Sequence, residues 1–252
     1  MWHKTIFGLV FATALAIGAA LPATPVVVEL FTSEGCSSCP PADLVLRRLE
    51  AGIGVPGAYV IALGEHVTYW DRLGWKDRFS ADVFTKRQED YTWQFRTDSA
   101  YTPQMVVNGQ AEFVGSDEQR ARREILKAVQ APTAKIDLAI TGDMLNIKAT
   151  GLPAGVKDAD VVLAITESRL DTDVQHGENG GRKLRHTGVV RSIANVGRID
   201  TSKDGSYIAQ THYHLDPAWK PANLKLVVFC RAAKRKRFGA PAQSRSLSES
   251  RS

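Results

Sequence analysis

Two patterns of apolar residues succeed one another along the chain. In the first half, short continuous apolar runs alternate with segments whose apolar positions recur at helical spacing. From Lys135 onward single apolar and single polar positions alternate, the period of a half-buried strand. Val26 to Phe31, bounded by Pro25 and Thr32-Ser33-Glu34-Gly35, predicts a buried strand. Pro40 and Pro41 open a helix carrying Leu44, Val45 and Leu49, and Gly52 closes it. Ala58 to Leu63 predicts a second strand and Ala81 to Phe95 a second helix. Met105 to Val107, Asn108-Gly109 and Ala111 to Val114 predict a hairpin. Ser116 with Gln119 reads as a capping box for an amphipathic helix ending near Val129. The order β-α-β-α-β-β-α gives a mixed sheet: a parallel pair joined by a crossover helix, with an antiparallel hairpin at the edge.

In the second half, Ile136-Leu138-Ile140, Leu145-Ile147 and Tyr207 to Leu215 alternate with polar residues. Val161 to Ile165 and Leu224 to Phe229 are buried runs, and glycines break the segment into short strands. The organisation expected is a leader at 1–23, an α/β domain at 24–131, a mainly β, sandwich-like region at 132–247, and a tail at 248–252.

The ends decide compartment and charge. Lys4, the apolar run Ile6 to Leu21 and the small residues around Ala20 to Ala23 read as a cleaved secretory signal peptide, too short to span a bilayer. The mature protein is expected to be periplasmic or secreted, without stable membrane insertion. The net charge of +5 arises at the other end: seven of the 32 Lys and Arg, but one of the 27 acids, lie from Arg231 onward. The body is near neutral, so nucleic acid is not an expected partner.

Outside the cytoplasm, three cysteines raise the question of pairing. Cys36 and Cys39 form a Cys-x-x-Cys at a strand-to-helix turn, where helix N–H groups favour a thiolate on the first sulfur and the second resolves a mixed disulfide. On this reading Cys36 is the exposed attacking sulfur and Cys39 the shielded one. Half a zinc site and a structural staple are the alternatives. Zinc usually takes four ligands, and so short a loop constrains the unfolded chain little. Cys230, inside an apolar run, reads as a buried small hydrophobe.

The element order, with Cys36-Ser37-Ser38-Cys39-Pro40 after the first strand and Thr102-Pro103 before the third, resembles a thioredoxin-like domain over residues 25 to 131. The resemblance implies a cis Thr102-Pro103 bond facing the cysteines and shaping a substrate groove. A more specific likeness lies in Val28 to Asp43, His66 to Asp71, Leu73 to Asp77, Tyr101 to Met105, Gly177 to Asn179 and His186 to Arg191. These segments resemble exported bacterial proteins of the DUF1223 family, and the likeness covers nearly the whole mature chain; it implies fold and export, with no established reaction.

The fold class expected is therefore α/β: a thioredoxin-like mixed sheet with flanking helices, followed by a mainly β region. The function expected is a thiol-disulfide oxidoreductase or redox-sensing protein, acting on a thiol or disulfide protein or peptide and calling for no cofactor. A non-catalytic module holding copper or a partner protein is the alternative.

Around this centre, Glu29 is either a buried acid passing protons to the resolving thiol, as an acid on this strand does in thioredoxin-like enzymes, or an edge residue facing solvent. His66 reads as a hydrogen-bonded loop residue, with modulation of the thiolate or copper ligation as the alternative. His66, Tyr69, Trp70 and Tyr101 are candidates for the substrate groove, Tyr69 and Trp70 reading equally as core. Trp75 and Trp93 read as packing residues. Asn179, Arg185, His186 and Arg191 read as solvated loop residues, with a loop capping the cysteines as the alternative.

Overall fold

A computed structural model describes residues 23–200, 205–232 and 242–246. The segment expected to be a signal peptide, the basic run Lys234 to Arg237, the terminal tail and a last strand expected at Phe238-Gly239-Ala240 lie outside the described residues. The elements are β1 (Thr24–Thr32), α1 (Pro40–Glu50), β2 (Ala58–His66), α2 (Asp82–Phe95), β3 (Gln104–Val107), β4 (Ala111–Val114) and α3 (Glu118–Val129). There follow β5 (Lys135–Thr141), β6 (Met144–Thr150), β7 (Asp158–Glu167), β8 (Leu170–Asp173), β9 (Lys183–His186), β10 (Val189–Asp200), β11 (Ser206–His212), β12 (Leu224–Ala232) and β13 (Ala242–Ser246). The protein is mixed α/β, and its first seven elements follow the expected order.

Turn chemistry sets several of these boundaries. Asn108 and Gly109 both have positive φ, 46° and 65°, the pairing a two-residue hairpin turn requires. The Thr102-Pro103 bond before β3 is cis. The α3 cap falls one residue later than the sequence suggests: Asp117, not Ser116, accepts the Arg120 N–H, at 2.9 Å, because a carboxylate there reaches the free first-turn donor.

The halves read as separate regions in the sequence share one sheet. Its order is β13-β12-β7-β10-β2-β1-β3-β4, and β5, β6 and β11 form a second sheet. The splice lies where Val189 of β10 pairs in parallel with Gly64 of β2, whose N–H donates to the Gly188 carbonyl at 2.7 Å. Two glycines permit the approach. A Cβ on Gly64 would stand 3.2 Å from the Thr187 carbonyl oxygen, and one on Gly188, at φ 56°, would strike the Ala62 carbonyl at 2.4 Å.

Alternation along the strands assigns the two faces. Val26, Val28 and Leu30 of β1 pack with Leu46 and Leu49 of α1 and Ile125 of α3. On the same face of the extended sheet, Leu226, Val228 and Cys230 of β12 pack with Leu145 and Ile147 of the second sheet. On the opposite face Val27, Leu63 and Phe229 pack with Phe84 of α2. Even-numbered side chains of β1 and β2 thus face α1, and odd-numbered ones face α2.

Candidate functional site

The β1–α1 turn carries the cysteines. Cys36 and Cys39 are joined by a disulfide with Cα atoms 5.4 Å apart, and Cys39 is the N-cap of α1 with helical backbone angles. Both cysteines are 0% exposed, whereas Ser37 and Ser38 between them are exposed. The expectation of an exposed Cys36 is therefore corrected, and the cause lies more than 140 residues away in the chain. The β8–β9 connection folds over the turn. Asn179 Nδ2 donates to the carbonyls of Glu34 and Cys36, each at 2.9 Å, and Glu178 accepts the Ser37 N–H at 3.0 Å. Asn179 is itself held by Arg182, and Gly177 packs against Trp75. The loop read as solvated is thus a cap, and Arg47 of α1 fastens it further by donating to the Arg185 carbonyl. Arg191 lies elsewhere, beside Glu167 and over the Phe79 ring.

The helix supplies few free donors to the sulfurs. Pro40 and Pro41 have no N–H, those of Ala42 and Asp43 go to the Cys39 carbonyl, that of Ser37 goes to Glu178, and that of Cys39 goes to the Cys36 carbonyl. Thiolate stabilisation by the helix start, as the sequence suggests it, is correspondingly reduced.

Beneath the turn, on the α1 face, lies a solvent-excluded set of ionisable side chains: Glu34, Asp43, His66, Asp77 and His186. His66, a strand-end residue rather than a loop residue, has Nδ1 2.6 Å from Asp77 Oδ2, and the same carboxylate accepts the N–H groups of Glu34 and Phe79. Burial, the largest influence, pushes the His66 pKa down, but the charge and hydrogen bond of Asp77, together with the Asp43 and Glu34 charges, outweigh it and the pKa rises. Burial would raise Asp77, and the His66 charge with the two N–H groups instead lowers it. The His66 and His186 rings meet edge to face at 5.0 Å. His186 Nε2 is 3.4 Å from Glu34 Oε1 and Nδ1 is 4.0 Å from Asp43 Oδ2, contacts of ion-pair length without hydrogen-bond geometry. Glu34 Oε2 accepts the Trp75 indole N–H at 2.8 Å. Asp43 accepts the Thr32 hydroxyl at 3.0 Å, and burial raises its carboxyl pKa.

Glu29 belongs to a different cluster. With β2 on one side and β3 on the other, β1 is an interior strand, so Glu29 is buried rather than at an edge. Being odd-numbered, it faces α2, where Arg87 Nε donates to it at 2.6 Å and the Tyr91 hydroxyl at 2.5 Å. Glu65 lies 3.3 Å from the same guanidinium, and burial holds its carboxyl well above the ordinary range. The sheet separates this cluster from the helix that carries the cysteines.

The aromatic candidates converge on Thr102. Trp70 Nε1 donates to Thr102 Oγ1 at 2.8 Å, and Trp70 Cβ lies 3.3 Å from where a Gly35 Cβ would be, beside the cysteine turn. Tyr69 donates to Gln88, and Gln88 donates to the Tyr101 carbonyl. Tyr101 donates to Glu112 at 2.6 Å. Pro103 is buried, with Gly115 between it and Ala42 of α1. Trp93 departs from its expected packing role and is 85% exposed, on the outer side of α2. Among the described residues no group of three or more His, Cys, Asp or Glu is arranged to hold a metal ion.

Sequence reasoning missed Asp43, Asp77, Arg87 and Glu178 as members of these networks. For Asp43 a signal existed: it lies four residues after Cys39, one helical turn on, and is acidic on an otherwise apolar face.

Fold and site together define a mixed α/β protein with a capped Cys-x-x-Cys disulfide. The family model described as "Protein of unknown function (DUF1223)" matches residues 27–231, and the chain belongs to that family. Among solved structures it is similar to protein AGR_C_4864 from Agrobacterium tumefaciens, at 28% identity and a TM-score of 0.67 over 89% of this chain and 95% of the other. It also resembles HBP35 of Porphyromonas gingivalis, at 16% identity and a TM-score of 0.64 over 92% of this chain and 77% of the other, a likeness of fold. No curated protein matches it.

Proposed function

We propose that the protein is an extracytoplasmic thiol-disulfide redox protein, an oxidoreductase or redox sensor, that exchanges its Cys36–Cys39 bond with a thiol or disulfide on a protein or peptide. The carrying observation is that disulfide at the N-cap of α1, in a turn held from outside by Glu178 and Asn179. A staple in so short a loop adds little stability, so a redox role accounts better for the pair and for the cap built over it. Cys36 is the attacked sulfur and Cys39 the leaving one. Trp70, Thr102, Tyr69, Tyr101 and Pro103 form the wall along which an extended partner lies. Because both cysteines are covered, a partner reaches Cys36 when the Asn179 contacts break. A disulfide in a chain with no helix among the described residues long and apolar enough to cross a membrane is compatible with work outside the cytoplasm.

The test is exchange under native conditions. The protein should reach redox equilibrium with a small dithiol at neutral pH, and Cys39→Ser should accumulate a mixed disulfide on Cys36 that Cys36→Ser does not. A disulfide that yields to reductant only after unfolding would remove the redox reading.

A further inference from the structure

We propose that Asp43 hands Cys39 its proton when the Cys36–Cys39 bond is reduced and takes it back on reoxidation, with His186 and Glu34 linking Asp43 to the cap. The inference rests on the thiol-disulfide reading above.

Geometry singles out Asp43. Cys39 has helical backbone angles and its carbonyl accepts the Asp43 N–H at 3.1 Å, so the two residues stand one turn apart on one face of α1. Helical side chains lean toward the N-terminus, which tilts the Asp43 carboxyl toward Cys39. The leaving sulfur needs a proton source because the helix start offers it little, as the two prolines and the occupied N–H groups show. The other buried acids are set apart by place or partner: Glu29 and Glu65 face α2 across the sheet, Asp77 is bound to His66, and Glu34 accepts the Trp75 indole N–H and belongs to the β1–α1 turn rather than to α1. Asp43 faces Thr32 from β1, His66 from β2, Asp77 from the loop before α2, and His186 from β9, and His186 in turn meets Glu34 of the β1–α1 turn. Burial keeps its proton on at pH values where an ordinary carboxyl is ionised. Glu34 Oε1 and both His186 ring nitrogens are buried without hydrogen-bond partners, leaving a polar path from Asp43 toward the cap.

The step balances. One thiolate of a dithiol reductant attacks Cys36 Sγ; a mixed disulfide forms, the Cys36–Cys39 bond breaks, and its electron pair leaves on Cys39 Sγ, which takes the Asp43 proton. The reductant's second thiol, deprotonated by solvent, displaces Cys36, which is protonated from water. The reductant departs as a disulfide, and Asp43 regains a proton from solvent through His186; on reoxidation it first loses that proton by the same route and then takes the Cys39 proton. Two electrons and two protons pass from the dithiol to the cysteine pair.

The experiment follows reduction of the full chain by dithiothreitol from mildly acidic to alkaline pH, each rate constant divided by the reductant's thiolate concentration. The wild-type value should fall through one titration as Asp43 ionises. Asp43→Asn should be flat, and about 100-fold slower at the acid end, the usual size of general-acid assistance. Thr32→Val keeps the carboxyl but removes the hydroxyl that stabilises its ionised form, and should move the midpoint to higher pH; it decides alone should Asp43→Asn fail to fold. An Asp43→Asn profile with the wild-type fall, or an unmoved Thr32→Val midpoint, overturns the role of Asp43 and leaves exchange at Cys36 standing. A wild-type disulfide that does not react natively overturns the exchange reading, and this inference with it.

Discussion

His66 Nδ1 lies 2.6 Å from Asp77 Oδ2 with both side chains sealed from solvent, an imidazole–carboxylate pair beneath the cysteine turn. Because the His66 pKa is raised on folding, its contribution is fully present below the ordinary imidazole value of about 6.5 and is lost as pH rises through the folded value. The Asp77 pKa is lowered, so its contribution is present above the ordinary value of about 3.9 and is lost as pH falls through the folded one.

Stability should therefore peak in mildly acidic solution. The raised Asp43 carboxyl tilts stability the same way as pH rises, so the difference between wild type and His66→Gln isolates the pair. His66→Gln strands Asp77 and should cost about 3 kcal/mol in that window, and less in alkali, by urea unfolding at each pH. An equal loss at both pH values would mean that the pair is not charged.

Asn179→Ala should uncover the disulfide. The side chain makes two hydrogen bonds to the cysteine turn, at about 1 kcal/mol each, and opening must precede attack on a sulfur with no exposure. Native reduction should accelerate on the order of tenfold, with little change in the rate measured on the unfolded protein. Equal native rates for variant and wild type would show that the cap does not control access.

How far the sequence discloses this arrangement depends on the range of the interaction. The β1–α1 turn and the Asn108-Gly109 hairpin are local, and residue type with neighbouring pattern predicts both; the cis Thr102-Pro103 bond is expected from the thioredoxin-like resemblance instead. Glu29 is not decided locally, because its burial follows from β3 returning to the outer side of β1. The cap is less legible still: Asn179 and Glu178 look like any polar residues among glycines until β8 and β9 are placed beside α1. The single continuous sheet is hidden for the same reason, since Gly64 and Gly188 carry no side chain to report their contact.

Cys230 should be the last thiol to react. It is buried between β12 and the second sheet, and burial pushes its pKa up to about 12, leaving almost no thiolate at neutral pH. After mild reduction of the native protein, iodoacetamide should modify Cys36 and Cys39 and leave Cys230 intact by peptide mass mapping. Early alkylation of Cys230 would show that the second sheet opens readily from the main one.

The Arg87 cluster should govern stability and leave the redox chemistry alone. Arg87 lies against two buried carboxyl groups, Glu29 at 2.6 Å and Glu65 at 3.3 Å, and its guanidinium also lies over the Phe229 ring, 5.5 Å from the centroid. Arg87→Met would leave both acids without a cation in a site where Glu65 already holds its proton above the ordinary range, so folding should weaken by about 3–5 kcal/mol. Glu29→Gln is gentler, because the amide oxygen can still accept from Arg87, the amide NH2 can donate to the Tyr91 hydroxyl oxygen, and Glu65 remains beside the guanidinium. Since Glu29 faces α2 and the cysteines belong to the α1 face, Glu29→Gln should lower the urea midpoint yet keep the wild-type pH profile of disulfide reduction. A profile flattened by Glu29→Gln would return the proton-passing role to β1 and take it from Asp43.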